Sequence, residues 1–224
     1  MVGPRSYTSI DQLPEILPIF PLPGVLLLPR GKLPLRIFEP RYLAMTDDAI
    51  AGDRLIGMIQ PADPAASLAG APPVYRTGCG GRITAFSETD EGHYMLTLSG
   101  VVRFDVREEL PPRRGYRRVR ADWSPYAADL SEAAEEGASI DRDRLLTMLK
   151  SYFKLHGLSA DWDAVRHTPD ERLVTSLAMI CPFEPSEKQA LLEAPTLAER
   201  SQVMTAIIEM AVLDRPKDGD GARH

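Results

Sequence analysis

The sequence predicts an α+β fold: a β-rich N-terminal unit built on a curled antiparallel sheet, followed by a small α-helical bundle. Three observations carry this expectation. Residues Leu17–Met45 set six prolines (Pro18, Pro21, Pro23, Pro29, Pro34 and Pro40) among apolar side chains. Proline lacks the backbone donor and fixes φ, so this run is neither one helix nor a central strand. From Tyr94 to Val106 the apolar residues recur at every second position, and beyond Ile140 the period becomes helical.

The proline-rich run divides into short buried extended pieces, Ile16–Phe20, Val25–Leu28 and Leu33–Phe38, parted by Pro/Gly corners. Pro40 suits the first turn of a helix, where its missing N–H costs nothing. Arg41–Ala51 follows with Leu43, Ala44, Ala49 and Ile50, an i,i+3 pair at Tyr42 and Met45, and Gly52 to end it. Leu55–Ile59 is a short apolar strand, and Gln60–Pro73, rich in Ala and Pro, is a surface loop. Val74–Phe86 holds strand pieces interrupted at Gly78–Gly81. Tyr94, Leu96, Leu98, Val102, Phe104 and Val106 share one face, with Thr97, Ser99, Arg103 and Asp105 between them. Such alternation predicts one buried and one wet face, with Gly100 as a bulge or bend. Tyr116–Trp123 closes the set, and many short strands with Gly/Pro corners suggest a barrel-like sheet.

Ala127–Gly137 is acidic, alanine-rich and free of strand pattern, which places the junction there. The expected units are residues 13–126, β-rich, and residues 139–214, helical, with a flexible polar tail at residues 215–224. In the helical part, Leu145, Leu146, Met148, Leu149, Tyr152, Phe153 and Leu155 form a helix ended by Gly157. Thr168 with Glu171, Ser186 with Gln189, and Thr196 with Glu199 read as capping boxes. Leu197, Met204, Ile207, Ile208 and Ala211 make a core-facing stripe on the last helix.

Composition narrows the function classes. The chain has 224 residues, 44% hydrophobic and 26% charged, which is ordinary for a globular protein. Apolar runs stop well short of the roughly 20 residues of a membrane helix, and the first residues have no apolar signal core, which predicts a cytoplasmic protein away from membranes. Two cysteines, Cys79 and Cys181, argue against a disulfide framework or zinc site. The net charge is −6, with 15 Lys/Arg against 14 Asp/Glu through Pro125 and 11 against 18 beyond it. An acidic surface of this kind disfavours a general nucleic-acid binder, though a local basic patch remains.

The opening run, ending in Phe38-Glu39-Pro40-Arg41-Tyr42-Leu43, resembles the start of the Lon protease N-terminal domain family, and in particular its stand-alone bacterial members. Pro182-Phe183-Glu184-Pro185-Ser186-Glu187-Lys188-Gln189-Ala190-Leu191-Leu192-Glu193, followed by Thr196-Leu197-Ala198-Glu199-Arg200, is similar to the family's C-terminal helical part. The Gly157-Leu158 and Asp161-Trp162 stretch belongs to the same resemblance. It implies a PUA-like β unit and a role in recognising substrate polypeptides, without the ATPase and Ser–Lys protease modules of the full enzyme.

The residues themselves offer little chemistry. Gly24 to Gly31-Lys32 has six residues between its glycines and Leu33 after the lysine, so it is no phosphate-binding P-loop. His93, His156, His167 and His224 lack metal-ligand spacing. Asp47-Asp48 and Glu135-Glu136 read as solvated faces, and Trp162 as a packing anchor. The expectation is therefore a non-enzyme with no catalytic residues, no metal and no cofactor. Its partners are unfolded or extended polypeptide segments and, by resemblance, a protease machinery. Phe38, Glu39, Arg41 and Tyr42 are read as the anchor of the first helix and a candidate groove, with Glu39 over the free amides and paired with Arg41 or Arg36. The alternative function is RNA binding on a basic strand through Arg113, Arg114, Arg118 and Arg120 around Tyr116. A solvated strand edge guarded by charge explains the same arginines.

Overall fold

Leu17, Ile19, Val102, Phe104 and Val119 are shut away from water, and the sheet is wrapped around them. The computed structural model describes residues 7–62, 72–131 and 140–213. The strands are β1 (Ile16–Pro21), β2 (Lys32–Ile37), β3 (Leu55–Ile59), β4 (Thr77–Glu88), β5 (Tyr94–Arg113) and β6 (Tyr116–Asp122), and α1 (Pro40–Ala51) lies between β2 and β3. Their order is β2-β5-β4-β3-β1-β6, and β6 pairs again with β5. Five strands thus close into a ring. β5, 20 residues long, makes this closure possible: its first part, Tyr94–Ser99, pairs with β2, and Asp105–Arg113 pairs with β6. Pro34 is accommodated because β2 has a partner on one side alone.

The sheet is mixed rather than antiparallel throughout. β1 runs parallel to β3, with Ile19 opposite Gly57 and Phe20 opposite Met58. The chain between them holds β2 and α1, a crossover long enough to bring β3 back in the same direction. Two further expectations are corrected. Val25–Leu28 forms no strand. Leu26, Leu27 and Leu28 are buried, and their backbone turns inward as a plug held by Arg30 N–H to Gly100 O at 2.9 Å and Gly100 N–H to Gly31 O at 2.8 Å. A β-carbon on Gly100 would lie 1.9 Å from the Leu28 carbonyl oxygen, so the plug requires glycine there. A register shift between Gly80 and Gly81 falls opposite Val102 and Gly100, as expected of a bulge. The Gly78–Gly81 run does not interrupt β4; the strand continues through it, because the Phe104 ring occupies the space a side chain on Gly78 would need.

Two compact units can be distinguished. The first draws on Met1–Glu136 and Thr175–Glu193, the second on Gly137–Val174 and Ala194–His224. The expected tail at residues 215–224, most of the Gln60–Pro73 loop and residues 132–137 of the junction lie outside the described residues. Gln60 itself is buried, and Pro61 bridges to Val74. Ser124–Leu130 is a 3-10 segment that holds Asp129 against Arg103 of β5.

The helices are α2 (Arg142–Leu155), α3 (Trp162–His167), α4 (Asp170–Ile180), α5 (Pro185–Glu193) and α6 (Leu197–Leu213). Gly157 has φ of 63°, and Leu158 N–H reaches Phe153 O at 2.8 Å while Gly157 N–H reaches Lys154 O, a Schellman end for α2. The capping box at Thr196 forms as read. Glu199 N–H donates to Thr196 Oγ1 and Thr196 N–H to Glu199 Oε2. The second moves upstream: Glu184 N–H donates to Glu187 Oε2, since Pro185 takes the first helical position. Thr168 is the C-cap residue of α3, its hydroxyl donating to Ala164 O. In the second unit Arg142 gathers the carbonyls of Val165, Arg166 and Thr168, and Trp162 packs on Phe153 at 5.6 Å.

In the first unit, α5 sits on the sheet through buried polar contacts. Gln189 donates to Thr77 O at 3.1 Å, and Gln60 to Pro185 O at 2.9 Å. Lys188 is buried and donates to Gly24 O at 2.8 Å; burial lowers its pKa.

Candidate functional site

β1 and β6 pair antiparallel, with Pro18 opposite Arg118 and Ile16 opposite Arg120. Directly opposed residues share a face, so an apolar pair on β1 lies beside two arginines on β6. The end of α1 and the β5–β6 turn stand over this face. Together they enclose a cleft of about 270 Å³ lined by Pro14, Ile16, Pro18, Asp48, Ala49, Gly52, Asp53, Leu55, Arg113, Tyr116 and Arg118. Ile16 is 44% exposed, a large apolar side chain left open to solvent.

Asp48 organises one wall. It accepts from the Tyr116 hydroxyl at 2.8 Å and from Arg114 at 2.9 Å, and Arg113 Nε lies 3.2 Å away. Partial burial works to raise its pKa, but the hydrogen bonds from Tyr116 and Arg114 and the two guanidinium charges outweigh it, so the carboxyl is held below its ordinary value. Tyr116 moves the other way: burial, and then its bond to Asp48, raise the phenol pKa. The sequence expectation of a solvated Asp47-Asp48 face holds for Asp47, which is exposed, and is corrected for Asp48. Asp47 accepts from the Tyr94 hydroxyl at 2.9 Å, and Asp48 is fastened to the hairpin. Residues far apart along the chain meet here, which residue spacing cannot show.

Of the residues singled out in the sequence, Arg113 and Arg118 line the cleft; Phe38, Glu39, Arg41, Tyr42, Arg114 and Arg120 do not. The Phe38–Tyr42 pentapeptide is split by its own helix. Tyr42 is buried, its ring tilted against Phe20 at 4.2 Å between centroids, and Phe38 is 59% exposed with His93 at its edge. Glu39 is the N-cap residue of α1, yet its side chain makes no cap bond; it pairs with Arg41 at 2.8 Å, while Arg36 pairs with Glu91.

The basic strand is not an edge, since β6 has a neighbour on each side. Its charges are largely answered. Arg117 holds Glu109 through two bonds, of 2.6 and 2.7 Å. Arg120 pairs with Glu108 and Glu15, and Arg113 and Arg114 with Asp48. Arg118 differs. Its NH2 group donates to the Pro111 carbonyl, its Nε is buried without an acceptor, and it has no carboxylate partner among the described residues. Guanidinium groups already neutralised by carboxylates release few counterions to a phosphate backbone, which weakens the RNA reading. Ile16, Pro18, Leu55 and Asp53 were not singled out in the sequence, where nothing marks them except the position of Pro18 in a strand.

Residues 16–209 match the family described as ATP-dependent protease La (LON) substrate-binding domain. Lon protease 2 of Myxococcus xanthus is 25% identical over 209 residues, covering 92% of this chain and 25% of that protein. Lon protease of Syntrophus aciditrophicus is 27% identical over 207 residues, covering 90% of this chain and 26% of that protein. The chain thus spans about a quarter of the length of these relatives. Among solved structures, the Lon N-terminal domain protein from Xanthomonas campestris aligns with a TM-score of 0.59 at 23% identity, covering 85% of this chain and 97% of that one. The N-terminal domain of Mycobacterium avium complex Lon protease aligns with a TM-score of 0.60 at 14% identity, covering 87% and 98%. Both likenesses concern the fold.

Proposed function

Because the chain belongs to the ATP-dependent protease La (LON) substrate-binding domain family, we propose that it is a non-catalytic module that binds unfolded or extended polypeptide segments in the cytoplasm and can present them to a protease machinery. The observation that carries this reading is the open cleft between β1, β6 and α1, where exposed Ile16 and the prolines at 14 and 18 offer apolar surface beside polar groups. A groove of this kind suits side chains displayed by an extended segment. Its volume lies below the ~300–1,000 Å³ typical of small-molecule sites, which favours one or two amino-acid residues over a nucleotide or an organic cofactor.

The test is a titration of the protein with a permanently unfolded polypeptide, reduced and carboxymethylated α-lactalbumin, followed by isothermal calorimetry, with native α-lactalbumin as the control. Saturable binding of the unfolded form alone is expected. The absence of binding up to about 1 mM, where affinity amounts to roughly 4 kcal/mol, would overturn the reading.

A further inference from the structure

Resting on the polypeptide-binding reading of this same cleft, we infer that it recognises the C-terminal end of a polypeptide whose last residue is apolar, with the terminal α-carboxylate held by Arg118. The charges lining the cleft point to this ligand. Asp48 and Arg113 answer each other at 3.2 Å, and the Tyr116 hydroxyl is already given to Asp48. Two charged groups of the lining are left without an ion pair among the described residues: Arg118, and the Asp53 carboxylate just beyond α1. Arg118 is the stronger anchor. Its NH2 group is fixed on Pro111 O at 3.0 Å, which orients the fork, and its Nε–H is the one buried side-chain polar atom among the described residues that lacks a partner. A planar guanidinium that no carboxylate of the described residues holds matches a carboxylate ligand, and a donor left without an acceptor favours any rearrangement that supplies one.

The rest of the cleft selects the form of the carboxylate. Pro18 lies directly across the strand pair from Arg118, and Pro14, Ile16 and Leu55 continue the apolar surface. A carboxylate on Arg118 therefore brings an apolar side chain into contact with these residues. A chain end supplies both groups in one residue, which is what about 270 Å³ can hold. Asp48 and Asp53 in the same lining repel the double charge of a phosphopeptide and the successive charges of a nucleic-acid backbone more than they repel one carboxylate, so a lone monoanion is preferred.

The experiment uses fluorescence anisotropy with the full chain and three labelled hexapeptides. One ends in leucine with a free carboxylate, one is its C-terminal amide, and one is an amide with a glutamate beside an internal leucine. The free acid is expected to bind at least tenfold more tightly than its amide, which is about 1.4 kcal/mol. Arg118→Gln, checked for an unchanged melting temperature, is expected to remove that difference. If Arg118→Gln fails to fold, the comparison of acid and amide on the natural protein still decides. Equal binding of acid and amide overturns the inference and leaves the polypeptide-binding reading standing. Preference for the internal glutamate peptide overturns the assignment to a chain end. No binding of any of the three, together with no binding of the unfolded polypeptide, removes both readings.

Discussion

Removing Arg103 should be among the most damaging single changes in the first unit. Its side chain is 5% exposed and that of its partner Asp129 9%. The guanidinium donates to Asp129 through Nε at 2.9 Å and NH2 at 2.7 Å, gives NH1 to Leu192 O at 3.1 Å, and lies 4.7 Å from the centre of the Tyr126 ring. Solvent screening is small for so buried a pair, and stranding one charge costs about 3–5 kcal/mol. Arg103→Met should therefore lower stability by about that much, a third or more of the ~5–15 kcal/mol of a typical domain. Arg103→Lys keeps the charge but not the two-pronged contact, and should cost less. Asp129→Leu alone should cost a similar amount, yet adding it to Arg103→Met should add little of its own, because no buried charge is then left unpaired. The Arg103 amide, which also donates to Asp129 at 3.0 Å, accounts for a residual loss of about 1–3 kcal/mol in the double variant. Urea unfolding at neutral pH, read as midpoint shifts at constant slope, measures all four variants against the natural protein. Additive losses, or single losses under about 1 kcal/mol, would refute the claim that the pair acts as one unit.

Three further expectations concern other parts of the molecule. Gly100→Ala forces the Leu26–Leu28 plug away from β5 against backbone rather than a movable side chain, and should cost about 3 kcal/mol or more in the same assay. Tyr116→Phe removes a donor from Asp48 and should cost about 1 kcal/mol. Asp48 has a depressed pKa in the folded protein, so its contribution is present above the ordinary carboxyl pKa and is lost as pH falls through the folded value; in the Phe variant that loss should begin at higher pH, seen in melting temperatures between about pH 5 and pH 2. Burial pushes the Cys181 thiol up to about 12, and Cys79 is also buried. Neither should react with a thiol-specific disulfide reagent near neutral pH until the protein unfolds, and fast labelling of the native form would contradict this packing.

The elements that sequence reasoning located were those whose cause is local. Period two marked β5 because one face packs on the core, although Arg103 and Asp105, expected on the wet face, are themselves buried; Gly157 marked the end of α2 because only a left-handed residue closes it, and Thr196 with Glu199 marked the start of α6 because each bonds the other's backbone. Misreadings occurred where a distant residue decides. Val25–Leu28 has the composition of a strand, but the prolines on either side and the contact at Gly100 turn it into a plug. The glycines of β4 look like a break until the rings of Phe104 and Trp123 are set against them. The parallel pairing of β1 with β3 follows from a crossover whose return point no local pattern encodes.

The same distinction governs the site. Five arginines between residues 113 and 120 are conspicuous in the sequence, and on their own they suggest a surface for phosphates. The carboxylates that answer them come from elsewhere: Glu15 before β1, Asp48 on α1, and Glu108 and Glu109 on β5. A pairing energy set by distances of 2.6 to 3.2 Å depends on folding and is invisible to a count of charges. Four of the five arginines are thereby used within the hairpin or between it and its neighbours, and the cluster loses most of its outward field. What folding leaves is Arg118, held opposite Pro18 and close to exposed Ile16. A lone guanidinium beside apolar surface suits a single carboxylate attached to an apolar group, the ligand inferred for this cleft.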